Sequence, residues 1–168
     1  MKVLVGVASK HGSTQEIGER LASTLAAALD AQGLPTEVDL RDAGAVDAVI
    51  PYDAVVVASA IYAGRWLGPA SDLVEGQADE LRKRPVWLVS SGPVGDPPKP
   101  EGEPPDGTRL AELVGAQHRV LAGRLDRDSL SRGERLVARM VKAPDGDFRD
   151  WAEVDQVAGE IADALISR

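Results

Sequence analysis

A chain of 168 residues with a formal charge of −8 and no cysteine has the length of one domain, and a domain of that size buries roughly two-thirds of its unfolded surface without staples. The missing cysteines exclude disulfides, thiolate metal sites and a cysteine nucleophile. The acidic balance argues against general nucleic-acid binding, which needs Lys and Arg to neutralise phosphates, and suits plain solubility.

Lys2-Val3-Leu4-Val5-Gly6-Val7-Ala8 is a nearly continuous Val-rich run, the pattern of a strand buried on both faces. No apolar run reaches the ~20 residues of a bilayer span. Nor does a basic segment and signal-peptide core precede the first strand-like run, so the expectation is a cytoplasmic location with at most peripheral membrane contact.

The spacing of Ile17, Leu21, Leu25 and Leu29 predicts a helix over residues 13–32, with Gly33 as its C-terminal cap. Strands are predicted over 35–40, 53–58 and 85–90, the last opened by Pro85, where a missing donor is tolerated. A helix is predicted over 70–81. Residues 92–107 are dense in Pro, Gly and charge and read as a loop. Beyond it come a short helix over 108–115, a strand over 118–124, a helix over 129–142 and a last amphipathic helix over 150–166.

Strands alternating with helices imply right-handed crossovers and a parallel sheet covered on both faces. Five such strands suit the doubly wound order 2-1-3-4-5, whose ligand site lies beyond the carboxyl ends of the strands. Chemistry is therefore expected just after Ala8, Ala58 and Ser90.

The first of these loops, Ser9-Lys10-His11-Gly12-Ser13-Thr14, offers hydroxyls and successive amides at a helix start, where the helix dipole favours a dianion. Gly12 permits close backbone approach or a positive φ. A capping loop with Ser13 or Thr14 as N-cap is the competing reading. Neither G-x-x-x-x-G-K-[ST] nor G-x-G-x-x-G is present, so a mononucleotide phosphate fits better than a dinucleotide. Lys10 and His11 either add charge to that phosphate or are solvated loop residues.

The second loop, Ser59-Ala60-Ile61-Tyr62-Ala63-Gly64-Arg65-Trp66, holds two of the six Phe, Trp and Tyr residues of the chain. A flat ring system wants aromatic cover and backbone donors at its polar edge, which Tyr62 and the main chain can supply. Trp66 either covers that ring or packs the next helix on the sheet. The third loop, Ser90-Ser91-Gly92-Pro93-Val94-Gly95-Asp96, has small residues that allow main-chain approach to a ligand, although a plain turn has the same composition.

Ser9, Gly12 and Thr14 in the form Ser-x-x-Gly-x-Thr resemble the flavodoxin family, as does the run from Tyr52 to Gly64. The resemblance implies a flavodoxin-like α/β fold, FMN as cofactor, Ser9 to Thr14 on its phosphate, and Ser59 to Gly64 and Ser90, Ser91, Gly92 and Gly95 flanking its ring. Three further stretches resemble the menaquinone-dependent protoporphyrinogen IX dehydrogenase branch. They are Ser59 to Gly64, the helix-forming stretch after the fifth strand, and Asp150-Trp151. That branch passes electrons from the porphyrinogen through FMN to a respiratory quinone. The stretch after the fifth strand departs from it in having fewer aromatic and basic residues.

Between Arg124 and Lys142 the chain still carries six basic and three acidic residues. Such a helix either packs as an ordinary surface helix or lies on an anionic membrane. Asp96 is the acid nearest the ring in sequence, and neither His11 nor His118 is well placed as a general base. An FMN-dependent oxidoreductase, an electron-transfer flavodoxin for protein partners, and a cofactor-free binding domain all remain open. So does deazaflavin in place of FMN.

Overall fold

In the computed structural model, which describes residues 1–95, 102–140 and 142–168, the three Val-rich runs become the central strands of a parallel sheet. Its strands are β1 (Lys2–Ala8), β2 (Glu37–Asp42), β3 (Ala54–Tyr62), β5 (Val86–Ser91) and β6 (Gln117–Leu121), in the order β2-β1-β3-β5-β6. A short β4 (Arg65–Trp66) pairs antiparallel with the end of β3. Counting the parallel strands alone, this is the expected doubly wound order.

The continuous apolar pattern of the inner strands follows from cover on both faces. On one side α1 (Ser13–Ala31) and α6 (Trp151–Ile166) close over Val3, Val5, Val7, Val56 and Val89 with Ile17, Leu21, Leu25, Leu29 and Ile161. On the other, α2 (Gly68–Gly76), α3 (Ala78–Leu81) and α4 (Pro105–Val114) cover Leu4, Val55, Val57 and Leu88 with Leu73, Val74, Leu81 and Leu110. Each such buried Leu, Ile or Val contributes about 1.5–3 kcal/mol. Among the described residues, no helix is long and apolar enough to cross a membrane.

Several boundaries differ from the sequence expectation for local reasons. β2 runs to Asp42, whose carboxylate accepts Gly44 N–H to open a turn of 3₁₀ helix. The helix expected over 70–81 begins at Gly68, with Pro69 in its first turn, and breaks at Gln77. α4 begins at Pro105, so Gly107 is helical and not part of a loop. A Cβ on Gly107 would stand 2.6 Å from His118 Nε2 and 2.7 Å from Ser90 Oγ, which explains a glycine inside a helix.

The strand expected over 118–124 stops at Leu121. Gly123 turns back to donate to Pro93 O, and β7 (Arg124–Leu125) instead pairs antiparallel with β8 (Gly146–Asp147). Between them lies α5 (Arg132–Met140), shorter at both ends than the predicted 129–142. A capping box starts it, with Glu134 N–H donating to Ser131 Oγ and Ser131 N–H to Glu134 Oε2. Asp150 caps α6 by accepting Ala152 N–H and Glu153 N–H.

Candidate functional site

The first loop leads from β1 into α1 through Gly12, which stands at the N-cap position with φ 82. That backbone is left-handed and suits glycine. Neither Ser13 nor Thr14 is the cap, and no side chain caps this helix. The first intrahelical bond is Glu16 N–H to Gly12 O, leaving the amides of Ser13, Thr14 and Gln15 without an intrahelical partner at the N-terminal end of α1. Ser9, Lys10, His11, Ser13 and Thr14 line the cleft there, and Thr14 is only 2% exposed.

The second loop is not a loop for most of its length. Ser59, Ala60, Ile61 and Tyr62 continue β3, and Ala63-Gly64 make a two-residue turn into β4. Both turn residues have positive φ, 51° at Ala63 and 77° at Gly64, the type I′ hairpin geometry. Ala60, Ile61 and Tyr62 reach the cleft, and Ala63 and Gly64 line an adjoining cavity. Burial, and secondarily the Glu134 carboxylate, pushes the Tyr62 hydroxyl up to about 12, so the phenol stays neutral.

Ser59 lies outside that cleft. Its hydroxyl is fully buried, donating to Ala60 O and accepting Leu67 N–H. Ser90 is likewise enclosed, accepting Trp66 Nε1–H at 2.8 Å and sharing a 2.8 Å hydrogen bond with His118 Nε2. Trp66, 5% exposed, packs the hairpin against the sheet and lines neither the cleft nor the cavity beside it. Ser91 and Gly92 do line the cleft, whereas Gly95 stands beyond it in a turn with φ 89. Gly92 fits closely because a Cβ there would meet Ile61 Cβ at 3.0 Å. Asp96 lies outside the described residues.

The remaining wall comes from residues that sequence reasoning missed. Arg124, Leu125, Asp126, Ser129 and Leu130 complete the first cleft. Beside it a cavity of about 750 Å³ opens between the β3–β4 hairpin and α5, lined by Ile61, Tyr62, Leu67, Val94, Leu125, Leu130, Ala138 and Ala143 among others. Such a volume and apolar lining are typical of small-molecule sites. Val94, Leu130, Ala138 and Ala143 form their own small apolar cluster, which seats α5.

Glu134 ties α5 to the first loop, with Lys10 Nζ at 2.7 Å and His11 Nε2 at 3.2 Å from one carboxylate oxygen. Lys10 and these neighbours, joined by the Ser131 amide and hydroxyl, hold the Glu134 carboxyl far below the usual carboxylate range. Lys10 also stands over the Tyr62 ring, 5.6 Å from its centroid. The Ser131-x-x-Glu134 spacing is the signal that could have placed the start of α5, expected at residue 129; the reach of Glu134 across to Lys10 has no local signal.

The arrangement of these parts defines a class: a doubly wound α/β domain with an uncapped, hydroxyl-bearing helix start beside an aromatic-walled apolar cavity. Residues 4–151 match the flavodoxin domain family, and the chain belongs to it. FMN is the cofactor of flavodoxin-family proteins. A flavodoxin from the domain Archaea is 12% identical, with a TM-score of 0.62 and 98% of this chain and 99% of that chain covered. A flavodoxin of Streptococcus pneumonia TIGR4 is 21% identical, with a TM-score of 0.57 over 98% of this chain and 99% of that one. An oxidoreductase from Corynebacterium diphtheriae is 14% identical, with a TM-score of 0.63 over 100% and 98% respectively. These likenesses are of fold. No curated protein sequence matches the chain.

The residues present fit FMN. Three amides without an intrahelical partner, together with Ser9, Ser13 and Thr14, make a pocket for a dianion. The adjoining cavity offers flat and apolar walls suited to a ring system.

Proposed function

We propose that the chain is an FMN-dependent oxidoreductase that works on a small organic partner, with the phosphate in the loop from Ser9 to Thr14. The observation that carries this reading is the apolar cavity of about 750 Å³ roofed by α5. A cavity of that volume, between the β3–β4 hairpin and α5, takes the flavin ring and leaves apolar wall beside it for an organic partner.

When bound, FMN supplies hydride and one-electron transfer. This chain's own residues do the holding. The amides of Ser13, Thr14 and Gln15 and the hydroxyls of the loop orient the phosphate, as the dipole of α1 favours. Ile61, Leu67, Leu125 and Leu130 exclude water. Tyr62, kept neutral, gives an aromatic wall without adding charge. Gly64, Ala63, Ser91 and Gly92 present main chain at the rim. His11 is engaged by Glu134 and His118 by Ser90, so proton transfer is left to the substrate, water or the cofactor itself.

Protoporphyrinogen IX with a quinone acceptor is the specific pair to test first, on the strength of the resemblance at Ser59 to Gly64 and Asp150-Trp151. The FMN-loaded protein is mixed anaerobically with protoporphyrinogen and then with menaquinone. Bleaching of the flavin band followed by its recovery supports the pair; a flavin that stays oxidised removes it. The charge of −8 favours a second reading, an electron carrier steered towards basic protein partners. Reduction of the flavin by a protein donor but by no small hydride donor selects that reading.

A further inference from the structure

We propose that Arg124, at the start of β7, supplies the positive charge that binds the phosphate and makes the site prefer FMN to riboflavin. This rests on the first-loop reading given above. Three basic side chains line the phosphate cleft: Lys10, His11 and Arg124. Lys10 and His11 are both drawn to Glu134, on the side facing α5 and Tyr62. The Lys10 charge is therefore largely answered, and His11 engaged, before any ligand arrives.

Arg124 is placed differently. Its backbone N–H donates to Ser13 Oγ at 3.2 Å, fixing residue 124 directly against the first turn of α1. Its guanidinium reaches Glu16 through a single long contact, Nη2 to Oε1 at 3.3 Å. The other oxygen of Glu16 takes Arg149 Nη1 at 2.7 Å, and Arg149, 3% exposed, also donates to Ser13 O and to Asp147. Arg149 is thus the structural partner of Glu16. Arg124 is the shared carboxylate's weaker partner and keeps several N–H donors for a ligand.

A guanidinium presents those donors as a planar fork that matches two phosphate oxygens, and a charge-assisted bond of this kind is about twice as strong as a neutral one. The β7–β8 pairing brings this fork to a loop more than a hundred residues earlier in the chain. Glu16 keeps the fork oriented, and a dianion at the helix start outbids one long contact.

The test compares dissociation constants of the apoprotein for FMN and for riboflavin, which lacks the phosphate, by quenching of flavin fluorescence. In Arg124→Gln the preference for FMN should fall by about tenfold or more, with riboflavin affinity unchanged and the salt dependence of FMN binding reduced. Arg124→Lys keeps the charge without the fork and should recover part of the preference. An unchanged preference in Arg124→Gln overturns the proposal while the phosphate reading stands. If the wild-type protein itself binds riboflavin as tightly as FMN, the phosphate reading falls first. Should Arg124→Gln lose both ligands through misfolding, Arg124→Met, which keeps the aliphatic stem and drops the charge, decides: a preference below wild type supports the assignment, and a wild-type preference ends it.

Discussion

Glu134 and His11, 123 residues apart in sequence, meet at 3.2 Å, and the same carboxylate oxygen takes Lys10 Nζ at 2.7 Å. The contact closes α5 over the first loop and puts one carboxylate between the Lys10 ammonium and the His11 imidazole at the mouth of the site. Besides it, α5 is seated by small apolar side chains, while Leu136 and Met140 are 57% and 75% exposed. Glu134→Gln should therefore loosen α5 locally. Hydrogen exchange over residues 132–140 is expected to quicken a few-fold, with β1 and β3 unaffected, because a partly exposed pair contributes no more than about 1 kcal/mol.

The same carboxylate gives a pH dependence with a definite sign. Its folded pKa lies below the unfolded one, chiefly through Lys10, so its stabilisation is present above the unfolded value. That contribution fades as the solution is acidified below about pH 4. Exchange of α5 should accordingly be flat from pH 8 to 5, after correction for the intrinsic rate, and rise below that. A profile that stays flat down to about pH 3 would show that the Glu134 carboxylate does not hold α5 in place.

Ser90 joins Trp66 to His118, and burial pushes the His118 imidazole below its ordinary value. A histidine held neutral contributes stability that is full above its unfolded pKa of about 6.5 and is lost as pH falls through that value towards the folded one. Global stability should rise between pH 5 and 7, and His118→Gln should flatten that rise. Ser90→Ala leaves the buried Trp66 N–H unpaired and should cost about 1–3 kcal/mol in urea denaturation.

Ala63 holds a left-handed backbone in the type I′ turn beside the cavity. An L-residue with a Cβ is disfavoured there by about 1–2 kcal/mol. Ala63→Gly should gain about 1 kcal/mol net, since glycine also loosens the unfolded chain, and raise Tm by about 2–4 °C. An unchanged or lower Tm would mean that the side chain of Ala63 makes a contact worth as much as the strain.

Much of this was readable in the sequence because the inner strands are buried on both faces. Val3 to Val7, Val55 to Val57 and Val86 to Val89 announce themselves as continuous apolar runs, and their alternation with helices fixes the sheet order. The first loop was legible for a similar reason: hydroxyls and a glycine stand where a strand hands over to a helix. The β3–β4 hairpin was not, since Ala63 is an unusual residue for its turn and the two-residue β4 is too short for a periodic pattern. Ser59 and Ser90 looked like ligand groups because a serine at a strand end has the same signature whether it faces a cleft or, as here, the core. Glu134 and Arg124 enter the site through tertiary contacts across α5 and β7, which no local spacing encodes.

Thr14 is the buried hydroxyl of the first loop. Thr14→Val keeps its shape and removes the donor, so FMN affinity should drop about tenfold with riboflavin affinity unchanged. Gly12→Val, forced to adopt φ 82, should weaken FMN binding further and lower Tm as well. Equal losses for the two ligands in Thr14→Val would move the phosphate away from this loop.

The central claim, that this cleft and cavity hold one FMN, is tested most directly by the cofactor itself. The protein is saturated with FMN, freed of excess by gel filtration, and denatured, and the released compound is identified by absorbance and mass. One FMN per chain, with flavin bands perturbed in the folded protein, is the predicted result. A colourless protein that retains no FMN after incubation, or one that retains a different chromophore in its place, contradicts the account.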